Sequence, residues 1–260
     1  MPKHDQRLVD RDEALRILAG MNPWWAGRKG SVPSFQRLAY HACRTHLSNT
    51  RLRRAILLSG PRRVGKTTIL LQLAEAILAD ATTISQSKSV LYLSLDHPVL
   101  KLLGLSKTLE LYHDAIWPEG QPAYLLLDEV QYSKDWETEI KLLVDHHREY
   151  RIVATGSASV LHRERLTESG VGRWITIPVP TLSFYEFVHI RGEVEPRIDT
   201  DLRPSDLAQL PRAQRLSLTT RLRGLLPTFQ RYLLVGGFPE TALQEDVALC
   251  QRLLDRKSVV

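Results

Sequence analysis

The amino-acid sequence predicts an α/β protein built on a mainly parallel β-sheet, and three observations carry that prediction. Short, almost continuously apolar segments such as 89–95 (SVLYLSL) alternate with helical segments, as expected for parallel strands covered on both faces. A glycine-rich segment, 60–67 (GPRRVGKT), connects an apolar strand to a helical segment. The apolar strand at 123–127 is followed at once by two carboxylates, Asp128 and Glu129. Polar functional residues are therefore expected at the ends of the strands of this sheet.

The individual elements follow from hydrophobic periodicity along the chain. Strands are predicted at 55–59, 89–95, 123–127, 151–155 and 174–179. Helices are predicted at 8–19, 34–50, 66–79, 135–148 and 158–166, and residues 213–254 again look helical. Charge and three prolines mark residues 191–212. We therefore expect an N-terminal helical segment (1–50), a core (51–190) and a linker or mobile insertion (191–212). For 213–260 we expect a helical lid or the truncated start of a winged-helix region.

Composition limits the classes of protein to which the chain can belong. Of its 260 residues 43% are hydrophobic and 25% charged, and 35 Lys and Arg against 29 Asp and Glu give a formal net charge of +6. Such a balance permits contact with nucleic acid or nucleotide phosphates without requiring either. Cys43 and Cys250 match no metal-binding spacing and are expected to be free thiols. With neither a signal-peptide pattern nor a long apolar run, a cytoplasmic protein without a membrane partner is expected.

The glycine-rich segment matches the phosphate-binding pattern G-x-x-x-x-G-K-[ST] through Gly60, Gly65, Lys66 and Thr67. Its backbone N–H groups and the start of the next helix would cradle phosphate oxygens. Lys66 would reach the outer phosphates, and the Thr67 hydroxyl would coordinate magnesium. The predicted nucleotide-binding residues here are Gly60, Pro61, Arg62, Arg63, Val64, Gly65, Lys66, Thr67 and Thr68, although Arg62 and Arg63 could equally be solvated loop charges.

The two carboxylates after the strand at 123–127 favour ATP hydrolysis over other phosphate chemistry. Asp128 would hold magnesium together with Thr67, and Glu129 would polarise a water for attack on the terminal phosphate. The guanine-specific pattern N-K-x-D occurs nowhere in the chain. ATP and Mg²⁺ are thus the predicted cofactors, while an acidic turn that caps the next helix is the structural alternative.

Two further polar positions are candidates for sensing or stabilising the phosphates. Ser157 ends the segment RIVATGS and would contact the terminal phosphate, with Thr155 as a close rival and helix capping as the structural alternative. Arg173 precedes the strand at 174–179 and could neutralise charge on the transferred phosphoryl group, in its own or in a neighbouring subunit. A surface salt bridge is the equally weighted alternative for Arg173.

The sequence resembles the AAA-superfamily ATPases of bacteria and archaea that often carry an uncharacterised, nuclease-like C-terminal domain. Five ordered segments carry the resemblance: GPRRVGKTT, YLLLDEVQYSKDWE, VATGSAS, GVGR followed by PVPTLSFYEF, and YLLVGGFPE. It implies a P-loop ATPase core of five strands in the order 5-1-4-3-2, followed by a helical or winged-helix region. It also implies that a C-terminal effector half lies beyond residue 260, and that subunits could assemble into a homo-oligomer.

These observations predict a Mg-ATP hydrolase whose turnover drives a conformational change in an attached or partner effector. The main alternative is a slow regulatory switch that holds ATP or ADP and presents a surface to a protein or nucleic-acid partner. A small-molecule phosphotransferase is the third interpretation. Steady turnover would favour the first, nucleotide retained through purification the second, and a phosphorylated acceptor the third.

Overall fold

A computed structural model describes residues 9–49, 54–80, 84–157, 172–193 and 203–255 of the chain. The helix predicted at 158–166 and the middle of the predicted linker lie outside these ranges. The chain divides into two compact units, Met1–Val179 and Pro180–Val260. The domain boundaries expected from the sequence stay predictions.

The first unit is built on a five-stranded sheet in which every observed strand pairing is parallel. Its strands are β1 Ala55–Gly60, β2 Val90–Ser94, β3 Ala123–Asp128, β4 Tyr150–Ser157 and β5 Trp174–Pro178. They lie in the order β2-β3-β4-β1-β5, which is the predicted order read from the opposite edge and confirms it. All five carboxyl ends therefore meet at one edge of the sheet, the edge at which open α/β sheets bind their ligands.

Helices connect and flank these strands. Among the described residues of the first unit the α-helices are α1 Arg11–Met21, α2 Leu38–Ser48, α3 Lys66–Ala79, α4 Ile84–Ser87, α5 Pro98–Ala115 and α6 Trp136–His146. All six residues of β1 are buried, because β4 and β5 flank this strand in the sheet and helices cover it. Helix α5 is kinked at Gly104, whose φ of 76° is not helical. Since glycine adopts positive φ without strain, the kink falls at the residue best suited to it.

Among the described residues, side chains bind the backbone at the outer edge of β2. The Asn22 amide donates to the Tyr92 carbonyl (2.8 Å) and accepts from the Tyr92 N–H (2.7 Å). The indole N–H groups of Trp24 and Trp25 both donate to the Val90 carbonyl, at 2.9 and 3.0 Å. Backbone groups of a buried edge strand need such partners, because an unpaired buried amide costs about 1–3 kcal/mol. Asn22, Trp24 and Trp25 are thereby held against the outer strand of the sheet.

The second unit is helical in its described part, residues 180–193 and 203–255. Its helices are α7 Phe184–Ile190, α8 Arg212–Leu222, α9 Leu226–Val235, α10 Pro239–Ala242 and α11 Val247–Asp255. Helix α7 begins with a reciprocal capping box between Ser183 and Glu186. Phe187 packs edge-on against Tyr232 with ring centroids 5.2 Å apart. These described helices fit the helical alternative of the predicted C-terminal region. No described helix of the chain is long and apolar enough to cross a bilayer.

Candidate functional site

The glycine-rich loop connects β1 to α3 at the carboxyl edge of the sheet. A Cβ atom at Gly60 would lie 2.1 Å from the Val179 carbonyl oxygen, so only glycine fits there. Gly65, immediately before α3, has a φ of 93°, a conformation that glycine tolerates and other residues rarely adopt. Both glycines of the sequence pattern are thus required by the backbone itself.

Lys66, the first residue of α3, folds back over the loop. It is only 4% exposed, and its ammonium donates to the Gly60 carbonyl (2.9 Å) and the Pro61 carbonyl (2.8 Å). Burial lowers the pKa of this ammonium, while the carboxylates of Glu129 and Asp128 raise it. The cation is therefore held by neutral carbonyl groups of the loop, within the electrostatic reach of two carboxylates.

Asp128 is the last residue of β3 and is the centre of a cluster of hydroxyl groups. Its side chain is buried, and its Oδ2 accepts hydrogen bonds from the Thr67 hydroxyl (2.7 Å) and the Tyr92 hydroxyl (3.0 Å). The Thr155 hydroxyl donates to Oδ1. Burial and the negative charge of Asp128 raise the pKa of Tyr92, so the phenol remains a donor. Oxygen ligands of this kind suit Mg²⁺, and the adjacent Thr67 and Asp128 could hold it.

Glu129 leaves the strand in a left-handed conformation with a φ of 55°. Such a conformation costs a non-glycine residue about 1–2 kcal/mol, so surrounding contacts must hold it. Its N–H donates to the Thr155 hydroxyl (2.9 Å), and its carboxylate accepts from the Gln131 amide. Thr155 therefore joins the backbone of Glu129 to the carboxylate of Asp128.

Ser157 lies at the same edge as the glycine-rich loop. It is the last residue of β4 and pairs with Gly60 in the parallel register of β1 and β4. The hydroxyl of Thr155, two residues earlier, donates to Asp128 and accepts from the Glu129 N–H. The structure thus brings Ser157 beside the loop and Thr155 into contact with Asp128 and Glu129.

The remaining loop residues differ in their surroundings. Pro61, Arg62 and Arg63 are exposed, Thr68 is half-buried and Val64 is buried. The Arg62 guanidinium donates to the Tyr132 hydroxyl (3.1 Å). Arg62 is therefore hydrogen-bonded to the segment that follows Glu129.

Arg173 lies at the amino edge of the sheet, where the strands begin. It precedes β5, its carbonyl accepts from the N–H of Ala55 at the start of β1 (2.9 Å), and its guanidinium donates to both carboxylate oxygens of Asp145 (3.0 and 2.9 Å). Strand β1 separates Ala55 from Gly60 by five residues, which corresponds to about 16 Å. The structure therefore does not bring Arg173 together with Lys66 and Asp128 in one chain.

Three residues of this region were not among the sequence-based candidates: Arg37, Tyr92 and Gln131. The buried Arg37 donates to the Val64 carbonyl inside the loop (2.8 Å). No spacing rule signals such a long-range contact. In the sequence Tyr92 cannot be distinguished from the apolar residues of a buried strand. Its position beside Asp128 depends on the strand order. Gln131 could have been suspected because it follows the two carboxylates so closely.

Comparison with known protein families decides the classification. Residues 52–188, more than half of the chain, match the family model described as an AAA domain. The chain belongs to this AAA domain family. Its glycine-rich loop, its Asp128 cluster and Arg173 all lie within the matched residues. A nuclease-like C-terminal domain is not part of this match.

Curated relatives of this AAA domain protein are uncharacterised and longer. An uncharacterised protein of Methanocaldococcus jannaschii is 32% identical over 142 residues, which cover 54% of this chain and 28% of that protein. An uncharacterised protein of Haemophilus influenzae is 28% identical over 138 residues, covering 52% of this chain and 33% of that protein. The matched part of the chain thus spans about a third or less of each relative.

Solved structures similar to this AAA domain protein include nucleotide-bound ones. AMPPCP-bound DnaA from Aquifex aeolicus aligns with 78% of this chain and 65% of its own, at 18% identity and a TM-score of 0.42. The Aeropyrum pernix ORC2 protein, in ADPNP–ADP complexes, aligns with 89% and 71%, at 14% identity and a TM-score of 0.44. S. cerevisiae Hsp104 in a casein complex aligns with 85% and 38%, at 18% identity and a TM-score of 0.47.

Proposed function

We propose that this AAA domain protein binds Mg-ATP at the carboxyl edge of the sheet and hydrolyses it. The observation that carries the proposal is the convergence of Thr67, Asp128, Thr155 and Glu129 beside the loop that holds Lys66. These residues come from α3, from the end of β3 and from β4. At one edge of the sheet they bring together the Lys66 cation, two oxygen ligands for magnesium and a second carboxylate. Phosphoryl transfer from a nucleotide to water requires these groups close to one another.

Each residue has a separate role in this proposal. Residues 60–68 bind the phosphates through backbone N–H groups and the start of α3, and Lys66 exchanges its two loop carbonyls for phosphate oxygens. Thr67 and Asp128 hold the magnesium ion. When bound, the ion would neutralise phosphate charge. Ser157 lies beside the loop, where its hydroxyl would contact the terminal phosphate.

Glu129 acts as the general base in the proposed reaction. Its carboxylate takes a proton from a water molecule, the water oxygen bonds to the terminal phosphorus, and the bond from that phosphorus to the bridging oxygen breaks, which leaves ADP and phosphate. Thr155 holds the Glu129 backbone beside Asp128, so that the base and the metal ligand keep a fixed relation. Arg173 pairs with Asp145, and within its own chain we assign it a structural role.

Hydrolysis would be coupled to an effector, either in the longer protein that the relatives suggest or in a separate partner. Assembly into a homo-oligomer, contact with nucleic acid and a cytoplasmic location belong to the same proposal. A slow-turnover switch is the second candidate. It is favoured by the Gln131 amide that already occupies the Glu129 carboxylate.

The Glu129→Gln variant tests the proposal, because it keeps the shape of the side chain and removes the base. It should bind a fluorescent ATP analogue as the original protein does, yet release phosphate about 100-fold more slowly. Glu75→Gln, which changes an exposed carboxylate on α3, is the matched control and should retain full turnover.

Each result of this experiment has a definite meaning. Normal turnover in Glu129→Gln would move the base role to another residue. Failure of the original protein to bind ATP would overturn the proposed function as a whole. Tight binding with very slow turnover in the original protein would select the switch over the continuously cycling ATPase.

A further inference from the structure

Tyr92 reaches the candidate metal ligand from the neighbouring strand. In the parallel register of β2 and β3, Tyr92 pairs with Leu126, two residues before Asp128. Residues two apart on a strand share a face of the sheet, so Tyr92 and Asp128 lie on the same face. The tyrosine ring spans this offset, and its hydroxyl donates to Asp128 Oδ2 at 3.0 Å. Tyr92 is 9% exposed, so water has little access to replace this donor.

The backbone of Tyr92 is itself fixed by Asn22. The Asn22 side chain bonds to both the N–H and the carbonyl of Tyr92, and its amide also donates to the Leu18 carbonyl (2.8 Å). Asn22 is fully buried, with 0% exposure. A continuous series of hydrogen bonds therefore runs from the end of α1, through Asn22 and Tyr92, to Asp128.

We propose that Tyr92 is a positioning residue for the magnesium site, and that Asn22 acts on the same site by holding Tyr92. This inference rests on the proposed function. Asp128 Oδ2 has two hydroxyl donors, and one of them, Thr67, is also a proposed ligand of the metal. Thr155 donates to the other oxygen, Oδ1, so Tyr92 is the second donor on Oδ2 and can keep that oxygen oriented while Thr67 serves the ion. Residues that orient a metal ligand typically change metal affinity 10- to 100-fold when removed.

The chain offers a matched control for the loss of one buried phenol. The hydroxyl of Tyr112 donates to the Lys88 carbonyl at 2.6 Å, and its ring is fully buried against Trp25. Tyr112→Phe and Tyr92→Phe therefore each remove one hydroxyl and one hydrogen bond while keeping an aromatic ring in the first unit. Only the second change touches Asp128.

The experiment measures the affinity for a fluorescent ATP analogue as Mg²⁺ is titrated, with a parallel measurement in EDTA. Tyr92→Phe should raise the Mg²⁺ concentration for half-maximal binding enhancement about tenfold or more, and should leave affinity in EDTA within about twofold. Tyr112→Phe should leave the Mg²⁺ requirement unchanged. An unchanged requirement in Tyr92→Phe, or an equal shift in Tyr112→Phe, would overturn the inference.

A double-mutant cycle tests the role of Asn22. Asn22→Ala should also raise the Mg²⁺ requirement, and should add nothing further in the Tyr92→Phe background, because both changes act through one hydroxyl. Fully additive shifts would refute the coupling. If Asn22→Ala fails to fold, Asn22→Asp keeps the acceptor for the Tyr92 N–H and should shift the requirement in the same direction; no shift in that variant refutes the coupling.

The outcome for the original protein separates this inference from the proposed function. If it binds no nucleotide with or without Mg²⁺, the proposed function fails. If its binding depends on Mg²⁺ and Tyr92→Phe behaves identically, only the positioning role of Tyr92 fails.

Discussion

The two edges of the sheet contain polar residues of similar kinds in different arrangements. At the carboxyl edge, Thr67 and Thr155 come from distant parts of the sequence, and both donate to the buried carboxylate of Asp128. At the amino edge, Arg173 and Asp145 form a half-exposed ion pair. At the carboxyl edge several groups therefore bond to a single carboxylate, whereas at the amino edge one arginine bonds to one aspartate. Proximity to a strand is therefore a weaker indication of function than the end of the strand at which a residue lies.

Lys66→Ala should produce the largest effect and sharpen this contrast. Removing the cation takes away two charge-assisted contacts to phosphate, so ATP affinity should fall about 100-fold or more. Titration with a fluorescent ATP analogue measures the change. Lys107→Ala, at an exposed lysine of α5, is the control and should bind normally. Equal affinity in the Lys66 variant and the original protein would remove the carboxyl edge as the nucleotide site.

Arg173→Ala tests the other edge, where a smaller effect is expected. A half-exposed ion pair contributes about 1 kcal/mol or less, so the free energy of unfolding should fall by no more than that, and turnover per subunit should be unchanged. Chemical denaturation and phosphate release measure the two quantities.

The opposite result for Arg173 has a distinct signature. If the arginine completes the site of a neighbouring subunit, Arg173→Ala should be inactive and specific activity of the original protein should rise with concentration. Mixing Arg173→Ala with Glu129→Gln subunits should then restore partial activity. That outcome would give the amino edge a catalytic role in an assembly.

Much of this arrangement could be predicted from the sequence, because both the strands and the loop have local signals. Continuous apolar runs gave the strands, and the spacing of Gly60, Gly65 and Lys66 gave the loop. Arg173 was predicted either to reach a phosphoryl group or to form a surface salt bridge, and its place at the amino edge follows from the pairing of β5 with β1. Tyr92 and Arg37 could not be predicted, because their contacts depend on which strands are neighbours and on where a distant segment crosses the loop.

Thiol labelling of Cys43 provides a check in which almost no difference between variants is expected. Cys43 is fully buried in α2, and burial raises its pKa from 9.0 to about 12. In a Cys250→Ala background at pH 8, the thiol should react at least about a thousandfold more slowly than in denatured protein. The variants at both edges should retain this protection. Rapid labelling in one of them would mean that its loss of function reflects unfolding of the first unit.

The side chains of Asn22, Trp24 and Trp25 have a consequence for how molecules of this protein meet one another. An open strand edge is a template on which a strand of another chain can add, and it is a common starting point for aggregation and domain swapping. On β2 the Val90 carbonyl and both backbone groups of Tyr92 are already hydrogen-bonded. Asn22 and the short 3₁₀ helix Pro23–Ala26 thereby block intermolecular β-pairing at these positions without pairing with β2 as a strand.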